Sequence, residues 1–490
     1  MKSTNLARLI YPEFRFNTTT MDDAIKLVQM GVGGFCFYGG TVEEVSRTVK
    51  ELKSYAQTPL VFCADYENGV GQWLKDATFL PTNMAIGASG SSAMARRKAE
   101  ITAFESKALG VDWVLAPVVD FASNPENPIV NTRAFGDDIA LVNEMTAAYL
   151  SGLNSHNCVS CIKHFPGHGE TDTDSHLTLP TLNRSKEELL DFEIKPYKAF
   201  VKSADSIMIG HLKIDAIDTE NASSFSHKII TNLLRKEIGY DGCVVTDALS
   251  MDAISDEGRS GVMALLAGAD ILLVPNNPFD LFTAIENAYK EGVLLDDIIE
   301  KALSRQNRMV AKISAGMLNR IDSSVIGCEE HKKFVEEVAE ECMAWAFKNR
   351  KFEIEPGETV GYLEPLVQSD NWQGKIFIEE MKKLGINIIP FNPHKTKKLI
   401  VASFSGPRAY SGSINLNEEQ KQLISDKINL AEDSIMLSFG SPFVFNGLNR
   451  KISGGLCSFC ALPDFQKTVA QILMGEKEAR GKMPVKLKMD

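Results

Sequence analysis

Short apolar runs recur along the first two thirds of the chain, and each follows a segment long enough for a helix. GGFCFYGG (33–40) follows the amphipathic stretch Met21–Met30, and PLVFCADYE (59–67) follows TVEEVSRTVKELKSYA (41–56). DWVLAPVVDF, VSCIKHFPG, SIMIGHL, GCVVTDALSM and ADILLVPNN continue the series, with helix-length segments such as SAMARRKAEITAFESKALG and ALVNEMTAAYLSGLNSH between them. Near-continuous apolar strands alternating with amphipathic helices predict a parallel sheet covered by helices. With a first strand near residues 6–10 the count reaches about eight, which predicts an α/β fold of the (β/α)8 TIM-type barrel class ending near residue 315.

The polar residues that interrupt this pattern cluster just after the strands: Asp65 and Glu67, Asp120, Lys163 and His164, His211, Asp247, Asn276 and Asn277. In a parallel barrel all of these ends open onto one face, which carries the active site. A doubly wound sheet would use only the crevice at its switch point, so the spread over many strand ends favours the barrel.

Beyond it, RIDSSVIGCEEHKKFVEEVAEECMAWAFKNRKF reads as a connection and a long helix. A second alternating region follows, with KLGINIIPF, KKLIVASFS, SIMLSFGSP and GGLCSFCAL as strands. The predicted organisation is a catalytic barrel over 1–318, a linker and connecting helix over 319–350, and a smaller α/β sandwich domain over 351–490.

Composition narrows the function classes. A 490-residue chain with 44% hydrophobic and 24% charged residues is that of a globular protein. Its net charge of −12 argues against nucleic acid as a partner. The opening MKSTNLARLIYPEFRF lacks a signal-peptide core, and no apolar run approaches the roughly 20 residues of a membrane span, so no membrane association is expected. Nine scattered cysteines favour a reducing compartment, and the cytoplasm is the expected location. The pairs Cys158–Cys161 and Cys457–Cys460 lie in apolar segments far apart, which suits buried thiols better than a zinc ribbon.

The richest stretch is KHFPGHGETDTDSH, Lys163 to His176. His164 and His168 have the spacing of a helical zinc motif, but Pro166 and Gly167 between them oppose a helix. The alternatives are a metal-holding loop, a surface loop with incidental polar groups, or a glycine-rich loop carrying an acid/base, with Asp174 close enough to orient His176. Asp247 ends the apolar run GCVVTDALSM, where a lone carboxylate is costly to bury. It fits a structural ion pair or, on a barrel's functional face, a nucleophile or ligand-binding group.

KHFPGHGETDTDSH, followed some seventy residues later by TDALSM, resembles the signature of glycoside hydrolase family 3, and its Asp-x-His ending resembles the β-N-acetylglucosaminidase (NagZ-type) branch. ADYENGVGQ, NTRAFGDD, SIMIGHLKIDAID and LLRKEIGYDGCVVTDALSM resemble the family through the barrel, and VASFSGP, LSFGSPFVF and ARGKMPVKL resemble its C-terminal α/β domain. The resemblance implies Asp247 as nucleophile, His176 as general acid/base and Asp174 as its dyad partner. It implies that Asp65, Arg133, Lys163 and His164 bind the sugar, with His211 and Met208 at a strand end lining the site. The implied activity is retaining hydrolysis of terminal β-linked N-acetylhexosamine, such as cell-wall muropeptides in peptidoglycan recycling, with a small-molecule or oligosaccharide substrate and neither metal nor cofactor. A β-N-acetylglucosaminide phosphorylase, a β-glucosidase and an inactive sugar-binding protein are the alternatives. One departure stands out: the branch often reads Asp-x-Glu-Gly-Gly-Arg-Val-Gln-Arg where this chain has Asp65 to Trp73, so Trp73 replaces an arginine.

Overall fold

The computed structural model describes residues 3–173, 178–251, 254, 256–316, 321–407, 414–448 and 451–488. Strands β1 (Ile10–Tyr11), β2 (Glu13–Arg15), β3 (Gly34–Tyr38), β4 (Val61–Ala64), β5 (Trp113–Val114), β6 (Cys161–Phe165), β7 (Ser206–Ile209), β8 (Cys243–Thr246) and β9 (Leu272–Leu273) form a closed ring. All pairings are parallel, from β2–β3–β4–β5 through the bridge Trp113↔Val159 to β6–β7–β8, then Val245↔Ile271, and β9 returns to β1. The result is a (β/α)8 barrel whose first stave is broken in two. Pro12 causes the break: it has no amide hydrogen to donate, although its carbonyl still accepts from the Cys36 amide at 2.9 Å. The predicted first strand is therefore displaced, because Ser3–Ala7 is helical and the stave begins at Ile10. Leu6, Ala7 and Leu9 are buried apolar residues all the same, which is why the segment reads as a strand.

Alternation along the staves divides two cores. Cys36, Val61, Cys63, Trp113, Leu115, Val159, Cys161, Cys243 and Val245 fill the barrel interior with Tyr11, whose ring meets Trp113 edge-on at 5.8 Å. Phe35, Phe37 and Phe62 face outward into the larger core beneath the helices. Gly34 makes room for Tyr11, since a Cβ there would lie 1.7 Å from the Val61 carbonyl oxygen and 2.7 Å from the tyrosine ring. The helices start where the sequence provides side-chain caps: Thr41 with Glu44 in a reciprocal capping box, Ser91 and Asp138.

The second domain is a six-stranded sheet built from β10 (Ala344–Lys348), β11 (Thr359–Leu363), β12 (Asn387–Pro390), β13 (Lys398–Ser403), β14 (Asp433–Ser438) and β15 (Gly454–Cys457), in the order β10-β15-β14-β13-β11-β12. Only β10 runs antiparallel, against β15. Sequence patterning locates β12 to β15 but places β10 inside the linker and connecting helix, and leaves β11 unassigned. Between the domains runs a polar seam. Thr82 Oγ1 donates to the Phe459 carbonyl at 3.0 Å, Asn131 Nδ2 to Ser441 Oγ at 3.0 Å, and Asn415 Nδ2 to the Pro125 carbonyl at 2.7 Å.

Candidate active site

The strand ends converge on one cavity of about 440 Å³, lined among others by Asp65, Glu67, Trp73, Arg133, Lys163, His164, Met208 and Asp247. Five residues expected to bind sugar and the expected nucleophile therefore share one space. A volume of this size suits a small polar ligand.

Its charged wall is a single network centred on Glu67. Arg133 grips the Glu67 carboxylate with a two-pronged fork, Nη2 to Oε1 at 2.7 Å and Nε to Oε2 at 2.9 Å. Lys163 Nζ bridges Glu67 Oε1 and Asp65 Oδ1, 2.7 Å from each. Burial works against ionisation of Glu67, but Arg133 and Lys163 outweigh it and hold the carboxyl well below its ordinary range. Burial likewise opposes the charge on Lys163, and Asp65 and Glu67 reverse that, so it remains a cation. Such a wall presents fixed donors and acceptors, the equipment that sugar hydroxyls require.

Asp120 organises the next part. Its Oδ2 accepts from the His164 amide at 3.1 Å and from His164 Nδ1 at 2.8 Å, while Oδ1 accepts from the His168 amide at 2.8 Å. Despite burial, these hydrogen bonds and the two histidines keep Asp120 ionised below its ordinary value. With Nδ1 engaged by the carboxylate, His164 has Nε2 left for a further hydrogen bond. His168 has a different environment: burial and the neighbouring His164 push its pKa down to about 4, so it is neutral at ordinary pH.

Asp247 follows β8, held by its amide donating to the Ile209 carbonyl at 2.9 Å and by Oδ1 accepting from the Ala248 amide at 2.8 Å. Met208 lines the cavity beside it. His211 stands behind the wall: fully buried, its Nε2 donates to the Ala248 carbonyl at 3.1 Å, which leaves Nδ1 to accept from Ser224 Oγ at 2.6 Å. It braces the segment after Asp247 and is not among the residues lining the cavity. Asp174 and His176 lie outside the described residues.

Trp73 occupies the rim. Its Nε1 donates to the Asp65 carbonyl at 3.1 Å and its ring meets Tyr38 edge-on at 5.1 Å, with the Arg15 guanidinium 4.6 Å above Tyr38. Pro407, from the second domain, also reaches the cavity. Sequence reasoning left Glu67 and Asp120 without a role. Their position beside Asp65 and at a strand end was the available signal, but the pairing that matters is tertiary.

Cys158, Cys161 and Cys457 are buried thiols pushed up to about 12 by burial, and Cys460 is raised for the same reason. Among the described residues no group of three or more His, Cys, Asp or Glu is arranged to hold a metal ion. No helix among them is long and apolar enough to cross a membrane.

Residues 4–309 match the glycosyl hydrolase family 3 N-terminal domain. A β-N-acetylglucosaminidase/β-glucosidase of Cellulomonas fimi is 31% identical over 288 residues, 56% of this chain and 51% of that protein. This chain thus spans about half the length of that relative. A β-hexosaminidase of Psychromonas ingrahamii is 29% identical over 283 residues, 56% of this chain and 83% of its own. Among solved structures, a glycoside hydrolase family 3 β-N-acetylglucosaminidase from Paenibacillus sp. str. FPU-7 superposes with a TM-score of 0.86 at 26% identity, covering 100% of this chain and 99% of that one. The β-glucoside phosphorylase BglX bound to 2FGlc shares the fold, with a TM-score of 0.91 at 21% identity over 99% of this chain and 94% of its own.

Proposed function

Because this chain belongs to glycosyl hydrolase family 3, we propose that it is a retaining β-N-acetylglucosaminidase that releases terminal β-linked N-acetylhexosamine by double displacement. The observation that carries this reading is the convergence of Asp65, Arg133, Lys163, His164 and Asp247 on one cavity. Asp247 attacks the anomeric carbon while His176, oriented by Asp174, gives its proton to the departing oxygen, and a glycosyl-enzyme ester forms. His176, now neutral, takes a proton from water as the water attacks the same carbon, and Asp247 leaves as carboxylate. The charged wall fixes the sugar ring by its hydroxyls, which keeps the anomeric carbon in line with Asp247. Nine free cysteines, eight of them buried, support a reducing, cytoplasmic setting, where cell-wall muropeptides would be met during peptidoglycan recycling.

An imidazole base does not repel an anion as a carboxylate would, so inorganic phosphate is the competing acceptor. Aryl β-glycosides of N-acetylglucosamine and glucose, assayed with and without phosphate, separate the readings: hydrolysis yields free sugar in both conditions, phosphorolysis yields sugar 1-phosphate. A 2-fluoro sugar should label Asp247 in the wild type, and Asp247→Asn should abolish turnover and labelling. Label recovered on any other residue refutes the assignment, and sugar binding without turnover on every glycoside makes the protein a binder.

A further inference from the structure

Lys98 is a buried cation that the double displacement does not use. It lies on the inward face of helix Ser92–Leu109 with 0% exposure, while Arg96 and Arg97 beside it form ion pairs on the surface. Among the described residues no carboxylate oxygen lies within 4.0 Å of its ammonium. An ammonium buried without an ion-pair partner in reach is costly, so its retention there calls for a reason. Its contacts supply one. Nζ donates to Asn83 Oδ1 at 2.7 Å and lies 3.4 Å from Asn68 Oδ1. Asn83 in turn donates through Nδ2 to the Arg133 carbonyl at 2.8 Å, and Asn68 lines the cavity. Helix Asn83–Ser89, which carries Asn83, is capped by Thr82, whose hydroxyl is tied to Phe459 of the second domain. Lys98 therefore joins two segments of the charged wall, the turn after β4 and the turn bearing Arg133, at the domain seam.

We propose that Lys98 is a positioning residue for sugar binding, acting through Asn83 on Arg133 and through Asn68 on the cavity wall. The proposal rests on the glycosidase reading of the cavity. Burial lowers the Lys98 pKa to about 7, opposed in part by the nearby Glu67 carboxylate and the Cys460 thiol. Among the described residues, further charged or titratable groups near this junction include Arg133 and Lys163, both engaged with Glu67, and Tyr149 of helix Ile139–Ser155, whose own pKa is raised by burial. Loss of the Lys98 proton weakens its bond to Asn83 and removes the charge facing Glu67. Sugar affinity then falls as pH rises through about 7.

Calorimetric titration with N-acetylglucosamine and with glucose from about pH 6 to about pH 8 tests this. The wild type should bind one of the sugars with an affinity that steps down near pH 7. Lys98→Met should bind about tenfold more weakly at pH 6 and show no step, although its melting temperature is unchanged or higher because a buried lone charge has gone. Asn83→Ala, which keeps the lysine, should weaken binding and leave a smaller step, the part carried by the charge facing Glu67. Wild-type protein that binds neither sugar refutes the glycosidase reading and this proposal with it. If the wild type binds, then equal affinity in Lys98→Met or Asn83→Ala, or an unchanged step in Lys98→Met, refutes the proposal alone.

Discussion

Replacing Glu67 by glutamine tests whether the charged wall is one network. The side chain is 5% exposed, and its two oxygens accept three contacts of 2.7, 2.7 and 2.9 Å from Arg133 and Lys163. Glutamine keeps the shape but removes the negative charge, and its amide group turns a donor toward two cations. Asp65 remains as the counterion of Lys163, while Arg133 keeps one prong on the glutamine carbonyl and meets a donor at the other. Breaking one member of a buried charge network costs about 3–5 kcal/mol. At about 2 °C per kcal/mol for a domain of this size, the melting temperature should fall by roughly 6–10 °C. Scanning calorimetry of wild type and variant at matched heating rates reads this directly. The pH dependence gives a second test. The folded-state pKa of Glu67 is depressed, so its contribution is present above the ordinary carboxyl value of about 4.3 and is lost as pH falls through the folded value. The gap between the two proteins should stay constant from about pH 8 to about pH 5 and close only in stronger acid. A variant within about 1 kcal/mol of wild type at neutral pH, or a gap already closing above pH 5, refutes the network as drawn.

Two further outcomes follow from neighbouring groups. Arg184 Nε lies 2.9 Å from Glu193 Oε1, yet neither atom is aligned for a hydrogen bond, and burial prevails over the arginine to raise Glu193 to about 7. A raised carboxyl contributes stability below its unfolded pKa and loses it as pH climbs through 7, so Glu193→Gln should match wild type near about pH 4.5 and exceed it by about 1–3 kcal/mol near pH 8; urea unfolding at both pH values checks the sign, and a variant less stable at pH 8 overturns it. Trp73→Phe keeps an aromatic face, though a smaller one, and loses the bond to Asp65, so KM should stay within about threefold of wild type, whereas Trp73→Ala should raise it about tenfold, or 1.4 kcal/mol; equal effects of the two on aryl glycosides would mean that the ring does not meet the substrate.

The barrel was legible because its staves are buried on both faces and stand out as apolar runs with helix-length segments between them. Residues 6–10 misled because a short apolar run does not distinguish a buried helical turn from a strand. β10 was hidden by its position: only Met343 separates it from helix Glu329–Cys342, and the helical periodicity swamps Ala344–Lys348. At the cavity, Asp65, Lys163, His164 and Asp247 were readable as polar residues ending apolar strands. Lys98 was not. In MARRKAE it resembles any surface lysine, and only the tertiary fold turns it inward between Asn68 and Asn83. His211 sits at a strand end like the others, and only the Ser224 and Ala248 contacts reveal that it acts from behind.

The polar seam bears on how such a chain can be recombined. The ring closes through β1 and β9 without the second sheet, so by backbone connectivity the barrel is a separable module. Its binding wall is not. Asn131, two residues before Arg133, hangs from Ser441, and the helix that supports the Arg133 carbonyl is capped by a threonine tied to Phe459. A chimera spliced at the domain boundary would inherit Asp247 and the loop after β6 intact, yet receive an arginine whose scaffold had stayed with the donor. The unit that must be exchanged as a whole is the barrel together with the turns around Ser441 and Phe459, a grouping that follows contacts across the seam and ignores order along the chain.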